Sequence, residues 1–173
     1  MLDLGCNSGR FSLLAASLGK SVVAIDKESA AVGNLWRRAT EGNADILPLV
    51  VDIARPFGGV GWANQECTSF LDRARGRFDC VLALALVHHL LVSERAPLGL
   101  VFDLLQDITT RFVIVEYVDP SDAQFQRLLR GREALHAELS RAAFEAAARK
   151  RFEVIRSCEL TPTRIIYVLS KRN

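Results

Sequence analysis

The stretch MLDLGCNSGRF, residues 1–11, places a short apolar strand directly before a glycine-rich turn. Residues 1–4 are apolar enough to form a buried strand, and a first helix is predicted over residues 11–18. A glycine-rich loop between a strand and a helix presents backbone N–H groups and lets a ligand approach the main chain. The stretch therefore predicts a ligand-binding turn.

Composition limits the class of protein. The 173 residues are 50% hydrophobic, which suits one domain with a sizeable core, and the formal charge of +2 gives no general attraction to nucleic acid or acidic membranes. The longest apolar run, residues 80–87, is too short to span a bilayer. The four cysteines show no C-x-x-C spacing, which argues against a zinc site or disulfide framework. We therefore expect a cytoplasmic protein without a metal site.

Apolar runs alternate with amphipathic segments, and this alternation is typical of βαβ units on a parallel sheet, an α/β fold. Strands are predicted at residues 1–4, 21–25, 46–51, 78–84, 112–115, 152–158 and 164–169. Helices are predicted at residues 11–18, 29–41, 66–74, 98–108 and 141–150, with a further helix starting at Asp119 and Pro120. The last two strands are joined by too few residues for a crossover helix, so they should pair antiparallel.

The glycine turn fits one nucleotide-binding motif poorly. The dinucleotide fingerprint G-x-G-x-x-G, aligned on Gly5, would require glycine at the positions of Asn7 and Arg10. Asparagine tolerates left-handed backbone angles, but an arginine at the third glycine opposes close packing of helix and strand. A nicotinamide-dependent oxidoreductase is therefore a weaker alternative.

Residues 3–9, DLGCNSG, resemble motif I of the class I S-adenosylmethionine-dependent methyltransferases, with Asn7 at the middle glycine. The resemblance extends to Asp26 and Asp52, which end strands two and three, and to VHHL at residues 87–90. It covers almost the whole chain. It implies a Rossmann-like three-layer α/β/α sandwich around a mostly parallel seven-stranded sheet. The implied strand order is 3-2-1-4-5-7-6, with strand 7 antiparallel.

The resemblance also implies S-adenosylmethionine as the cofactor and S-adenosylhomocysteine as the product. The implied cofactor-binding residues belong to the glycine turn and to the following strand ends: Asp3, Gly5, Cys6, Asn7, Gly9, Asp26, Lys27, Asp52, Ile53 and Ala85. Asp26 is expected to accept hydrogen bonds from the ribose hydroxyls, and Asp52 from the adenine amino group. Each carboxylate has a structural alternative, since Asp26 could cap a helix and Asp52 could open a turn.

Three residues that follow or end strands four and five are candidate catalytic groups: His88, His89 and Glu116. Methyl transfer depends mainly on alignment of nucleophile, carbon and sulfur, and needs a base only for acceptors that must lose a proton. Either imidazole could instead hydrogen-bond the main chain and organise the loop. The predicted reaction is methyl transfer to an oxygen or nitrogen acceptor, with a small molecule favoured.

The segment 119–150 is where this family often builds acceptor specificity. It contains arginines interrupted by glutamates: Arg127, Arg130, Arg132, Arg141 and Arg149, with Glu133, Glu138 and Glu145. A nucleic-acid acceptor is disfavoured because the segment lacks an aromatic stacking pattern. A non-catalytic domain that binds the cofactor as a regulator or assembly partner is the main alternative function.

The position of the glycine turn at the very front of the chain leads to one further expectation. We expect the natural chain to include a segment before the first strand that helps to close the ligand pocket. Residues 1–173 would then be a single methyltransferase domain that folds but binds its cofactor weakly or turns over slowly. The sequence leaves the oligomeric state open.

Overall fold

The computed structural model describes residues 1–131 and 138–172. Seven strands form one sheet in the order β3-β2-β1-β4-β5-β7-β6. The strands are β1 (Leu2–Leu4), β2 (Val22–Asp26), β3 (Ile46–Val50), β4 (Phe78–Ala83), β5 (Thr109–Val118), β6 (Phe152–Thr161) and β7 (Arg164–Lys171). Strands β1 to β5 pair in parallel, and β7 runs antiparallel to both β5 and β6. The predicted strand order and the closing hairpin are confirmed.

Helices flank this sheet. They are α1 (Arg10–Ser17), α2 (Ser29–Glu41), α3 (Phe70–Ala74), α4 (Val87–Val92), α5 (Leu98–Ile108), α6 (Ala123–Leu129) and α7 (Arg141–Arg149), with a 3-10 turn at Trp62–Asn64. The sequence did not predict α4. Its six residues, VHHLLV, are almost all apolar and follow β4 closely, so no change of periodicity marks where the strand ends and the helix begins.

Helix α6 begins later than the sequence predicts. Its N-cap is Asp122, whose side chain accepts a hydrogen bond from the Gln124 N–H, and not Asp119. The Asp119 carboxylate instead accepts from the N–H and hydroxyl of Ser121 at 2.9 and 2.7 Å. Aspartate can close a local turn as readily as it caps a helix, so sequence alone did not separate the two residues.

Two other helix limits follow from local contacts and backbone conformation. The helix predicted over residues 66–74 starts only at Phe70, where the Ser69 side chain accepts from the Asp72 N–H. Helix α6 ends at Leu129, followed by Arg130 in a left-handed conformation. Arg132 and Glu133, named above in the arginine-rich segment, lie outside the described residues.

The core lies on both faces of the sheet. Strand β1 is buried throughout, and Leu2 and Leu4 pack with buried side chains of β4 and β5 such as Val81 and Val113. A smaller cluster, which includes Ala24 of β2, packs α1 and α2 onto the sheet. Strand order reverses between β1 and β4, and doubly wound folds place their ligands at the carboxyl ends of the strands at such a point.

None of the helices in residues 1–131 and 138–172 is both long and apolar enough to cross a membrane.

Candidate functional site

A cavity of about 520 Å³ opens at the carboxyl ends of the central parallel strands. The glycine turn after β1 (residues 5–9) lines it through residues 5–8, and Asp26 and Asp52 line it beyond β2 and β3. The opposite wall is formed by residues 84–86 after β4 and by Glu116 of β5. This volume falls in the range of small-molecule sites. The cavity therefore brings together most of the residues that the sequence predicted separately.

The glycine turn is held in shape by its own backbone. Gly5, Asn7 and Gly9 all have positive φ angles, of 69°, 47° and 78°. The N–H groups of Gly5 and Cys6 both donate to the Ile25 carbonyl of β2 at 2.9 Å. Asparagine is one of the few residues that adopt this conformation readily, which explains how Asn7 replaces a glycine.

Cys6 lines the cavity, but its thiol is not a reactive group. Burial, with Asp3 and Asp26 nearby, raises the pKa of the thiol to about 12. A thiol must ionise to act as a nucleophile, so this side chain serves as a small apolar filler.

Gly9 lies outside the cavity wall, in contrast to Gly5. A Cβ atom on Gly9 would lie 2.2 Å from Cδ1 of Leu35 on α2, so protein already fills the space beside it. A Cβ atom on Gly5 would lie 3.2 Å from Cδ1 of Leu86, which belongs to the opposite wall of the cavity. The geometry gives Gly9 a packing role, and its contact with a cofactor stays a prediction.

Asp3 also lies behind the cavity wall. It is buried, and its carboxylate accepts a hydrogen bond from the Ser12 hydroxyl of α1 at 2.5 Å. Burial raises the pKa of this carboxyl group above its ordinary value. Asp3 thus ties β1 to α1 and supports the turn between them, and its direct contact with a ligand stays a prediction.

Asp26 faces the cavity at the end of β2. Its Oδ2 accepts from the Asn7 N–H at 2.8 Å, and its Oδ1 accepts from the Glu28 N–H at 2.9 Å. Each carboxylate oxygen can accept two hydrogen bonds, so each retains one lone pair without a partner among the described residues. The neighbouring Lys27 lines the same cavity. Asp26 therefore both fixes the glycine turn and keeps acceptor capacity for a ligand.

Asp52 and Ile53 form the next part of the wall. The Asp52 Oδ1 accepts from the Ala54 N–H at 3.0 Å, which closes a turn after β3. At the rim, Arg55 forms an ion pair with Glu94, which follows α4 and lines the cavity. The sequence did not predict this ion pair, because its partners belong to separate loops.

Two neighbouring histidines have different environments. His88 is 4% exposed, stacks on Phe125 at 5.8 Å between ring centroids, and does not line the cavity. Burial lowers the pKa of His88 to about 4, and its Nδ1 has no hydrogen-bond partner within the described residues. His89 lines the cavity, and burial together with Lys27 lowers the pKa of its imidazole. Of the two, His89 is the imidazole that a ligand could reach.

Glu116 is buried at the end of β5 and is already engaged on both oxygens. Its Oε2 accepts from the Ala85 N–H at 2.8 Å, and its Oε1 accepts from Arg164 of β7 at 3.3 Å. Arg164 also donates to both carboxylate oxygens of Asp122, at 2.9 and 3.0 Å. The sequence did not predict Arg164 or Asp122 as part of the site, since only the sheet brings these distant residues together.

One further contact outside the sequence predictions supports the glycine turn, since Arg38 of α2 donates to the Ser8 carbonyl at 2.9 Å. Arg10 and Phe11, at the start of α1, also line the cavity. Within residues 1–131 and 138–172, no group of three or more His, Cys, Asp or Glu side chains could hold a metal ion.

A family profile described as "Methyltransferase domain" matches residues 2–100, more than half of the chain. The chain belongs to this methyltransferase family. The predicted class, the S-adenosylmethionine-dependent methyltransferases, is therefore confirmed.

The methyltransferase domain has a relative of similar sequence and several of similar structure. It is 31% identical over 156 residues to Nodulation protein NoeA of Rhizobium meliloti (strain 1021). These 156 residues are 90% of this chain and 32% of that protein. The chain thus spans about a third of the length of this relative. PH0226 protein from Pyrococcus horikoshii OT3 superposes with a TM-score of 0.69 at 16% identity, covering 99% of this chain and 81% of that one.

A second similar structure contains a bound cofactor. Magnesium protoporphyrin IX methyltransferase (ChlM) from Synechocystis PCC 6803, solved with bound SAM, superposes with a TM-score of 0.63 at 16% identity. The match covers 99% of this chain and 69% of that chain. At such low identity, both structural likenesses show the shared fold.

Proposed function

We propose that this domain transfers a methyl group from S-adenosylmethionine to an oxygen or nitrogen atom of a small molecule. One observation carries the proposal: a single cavity is lined by the glycine turn, by Asp26, by Asp52 and by the segment after β4. These are four separate parts of the chain, and each offers chemistry that suits a different part of this cofactor. Membership of the methyltransferase family supports the same assignment.

The residues of the cavity fit the cofactor from one end to the other. The main chain of Gly5, Cys6 and Asn7 would lie beneath the methionine portion, where the absence of a Cβ on Gly5 leaves space. Asp26 would accept hydrogen bonds from the ribose hydroxyls through its free lone pairs. The adenine would lie against a second set of residues, which are Lys27, Asp52 and Ile53. Asp3 and Gly9 would support the turn from behind.

The end of the cofactor that carries the methyl group would lie beside Ala85. When bound, S-adenosylmethionine supplies a methyl group on a positively charged sulfur, and its transfer leaves S-adenosylhomocysteine. Leu86 and Leu90 line the cavity on this side, and the turn at Ala85 would align the acceptor with the methyl carbon. Alignment is the main contribution that the chain makes to such a reaction.

An acceptor that must lose a proton would transfer it to His89. His89 lies on the cavity, and its lowered pKa keeps the imidazole neutral and able to accept a proton at neutral pH. His88 lies behind this surface, and the two oxygens of Glu116 already accept hydrogen bonds. We therefore assign the proton-accepting role to His89 among the three candidates.

The favoured acceptor is a small molecule because two of the arginines that could attract a nucleic acid are already paired. Arg141 and Arg149 both form ion pairs with Glu145, and Arg141 also pairs with Glu159. These pairs reduce the positive charge that a phosphate backbone would require.

The proposed location of the protein is the cytoplasm. Its four free cysteines support this location, because a reducing compartment keeps thiols free.

Calorimetric titration with S-adenosylhomocysteine, and separately with NAD, tests the cofactor. We expect binding of the first and no binding of the second, and the reverse result would favour the oxidoreductase alternative. Incubation with methyl-labelled S-adenosylmethionine and a fractionated lysate then tests turnover. Binding without label transfer would favour the non-catalytic alternative.

A further inference from the structure

The cavity wall after β4 contains a residue in an unfavourable conformation. Ala85 has a φ angle of 50°, in the left-handed region that non-glycine residues rarely adopt. Unlike asparagine, alanine has no polar side chain that could support this conformation by a local hydrogen bond. Such a conformation persists only where the surrounding structure imposes it. The contacts around Ala85 must therefore supply the constraint.

Glu116 forms the hydrogen bond that constrains Ala85. Its carboxylate accepts the Ala85 N–H at 2.8 Å from the neighbouring strand, and the Glu116 side chain is only 8% exposed. A hydrogen bond to a charged acceptor is roughly twice as strong as one between neutral groups. The bond constrains the direction of the peptide N–H, and with it the φ angle at residue 85.

Arg164 and Asp122 in turn hold Glu116. Arg164 lies between the two carboxylates, donating to Glu116 at 3.3 Å and to Asp122 at 2.9 and 3.0 Å. The hydrogen bonds from Arg164 hold the pKa of Asp122 far below its usual range, so this carboxylate is ionised. Thr163 donates to the same carboxylate at 3.0 Å. The arginine is thereby fixed in position and neutralises a buried glutamate.

We propose that Glu116, Arg164 and Asp122 are positioning residues that together hold Ala85 in its left-handed conformation and so shape the cavity wall beside the reacting methyl group. The identity of the ligand rests on the proposed function above, but the backbone constraint does not. Leu86 follows directly and contacts the position of Gly5, and α4, which carries His89, begins one residue later. A change at Ala85 would therefore displace both Leu86 in the cavity wall and the imidazole of His89.

The decisive experiment is a double-mutant cycle between Glu116→Ala and Ala85→Gly. Glycine adopts left-handed angles without strain, so it should make the hydrogen bond from Glu116 partly unnecessary. We expect Glu116→Ala to weaken S-adenosylhomocysteine binding about tenfold in the Ala85 protein but only about twofold in the Ala85→Gly protein. A glutamate that acted as a proton acceptor would instead lose turnover that no change at residue 85 restores.

Amide hydrogen exchange at residue 85 gives a readout without ligand. The Ala85 N–H should exchange slowly in the wild type and at least tenfold faster in Glu116→Ala and in Arg164→Met. Arg151→Met is the matched control, because Arg151 pairs with Asp103 away from the cavity and should leave this rate unchanged. Should Glu116→Ala fail to fold, Glu116→Gln replaces it, with an exchange rate expected between those of wild type and Arg164→Met.

The results separate the two proposals. Equal exchange rates at residue 85 in the wild type and Glu116→Ala would overturn the positioning role, and so would an undiminished binding loss in the Ala85→Gly protein. Absence of S-adenosylhomocysteine binding by the wild type would overturn the proposed function instead. In that case the exchange comparison would still decide the role of Glu116.

Discussion

The two walls of the cavity use the same hydrogen bond for different purposes. In the wall formed by β1 and β2, Asp26 accepts the N–H of left-handed Asn7 at 2.8 Å. In the wall formed by β4 and β5, Glu116 accepts the N–H of left-handed Ala85 at the same distance. Both bonds link a carboxylate at the end of one strand to the loop that follows the neighbouring strand.

The difference lies in the second oxygen of each carboxylate. The Oδ1 atom of Asp26 accepts only a backbone N–H, that of Glu28. In the described part of the chain, no basic side chain forms an ion pair with the Asp26 carboxylate. The Oε1 atom of Glu116 is paired with Arg164, and the Glu116 side chain is buried. A carboxylate without a cationic partner keeps acceptor capacity for a ligand, whereas a neutralised carboxylate serves the structure. The partner, more than the position at the strand end, distinguishes the two roles.

The largest effect is expected in the first wall, where Gly9 packs against α2. Gly9→Ala should lower the free energy of unfolding by about 2–4 kcal/mol, because a Cβ would overlap Leu35 and the left-handed backbone would be strained. Gly19→Ala is a close control, since Gly19 also has a positive φ, of 74°, but has no atom within 4 Å of an added Cβ. It should cost about 1 kcal/mol. Urea unfolding measures both, and equal losses would show that packing on Leu35 is unimportant.

The second prediction concerns the free lone pairs of Asp26. Asp26→Asn should weaken S-adenosylhomocysteine binding roughly 30- to 100-fold, because the amide removes the charge and presents an N–H₂ group to a backbone donor. Asp79→Asn is the control, since Asp79 is exposed and lies at the start of β4, away from the cavity. Calorimetric titration measures both affinities. An Asp26→Asn protein that binds like wild type would remove the distinction between the two carboxylates.

The third prediction uses the buried histidine behind the second wall. The pKa of His88 falls from 6.5 to about 4 on folding, so the unfolded chain binds more protons between these values and stability decreases as the pH falls through this window. Between pH 7 and pH 4.5 the wild type should lose about 1–2 kcal/mol more than His88→Gln. His89→Gln should keep most of this loss, since it leaves the buried His88 in place. Urea unfolding at both pH values measures the difference, and identical pH dependence in wild type and His88→Gln would contradict the burial of His88.

The smallest effect is expected at the outer side of the glycine turn. Arg38→Met removes the hydrogen bond to the Ser8 carbonyl and should weaken S-adenosylhomocysteine binding about two- to fivefold, as expected for one exposed contact. Arg37→Met is the matched control, because within residues 1–131 and 138–172 the Arg37 side chain bonds only to Asn34 of its own helix. A larger loss in Arg37→Met than in Arg38→Met would show that α2 supports the turn in another way.

The sequence by itself determined the seven strands, most of the helices, the closing antiparallel hairpin and the place of Asp26. These features depend on local patterns: alternation of apolar runs, short connections, and a glycine turn between a strand and a helix. The same local signals carried the family resemblance, and most of the cofactor residues predicted from it lie around one cavity.

Only the tertiary structure decided which of the predicted residues face that cavity. Gly9 and Asp3 lie behind the wall because α2 and α1 pack against them, and His88 differs from His89 because one helical position separates a buried face from an exposed one. Glu116 acquires its partner from β7, 48 residues further along the chain. Burial and ion pairing depend on contacts between distant segments, and local sequence patterns contain no information about them.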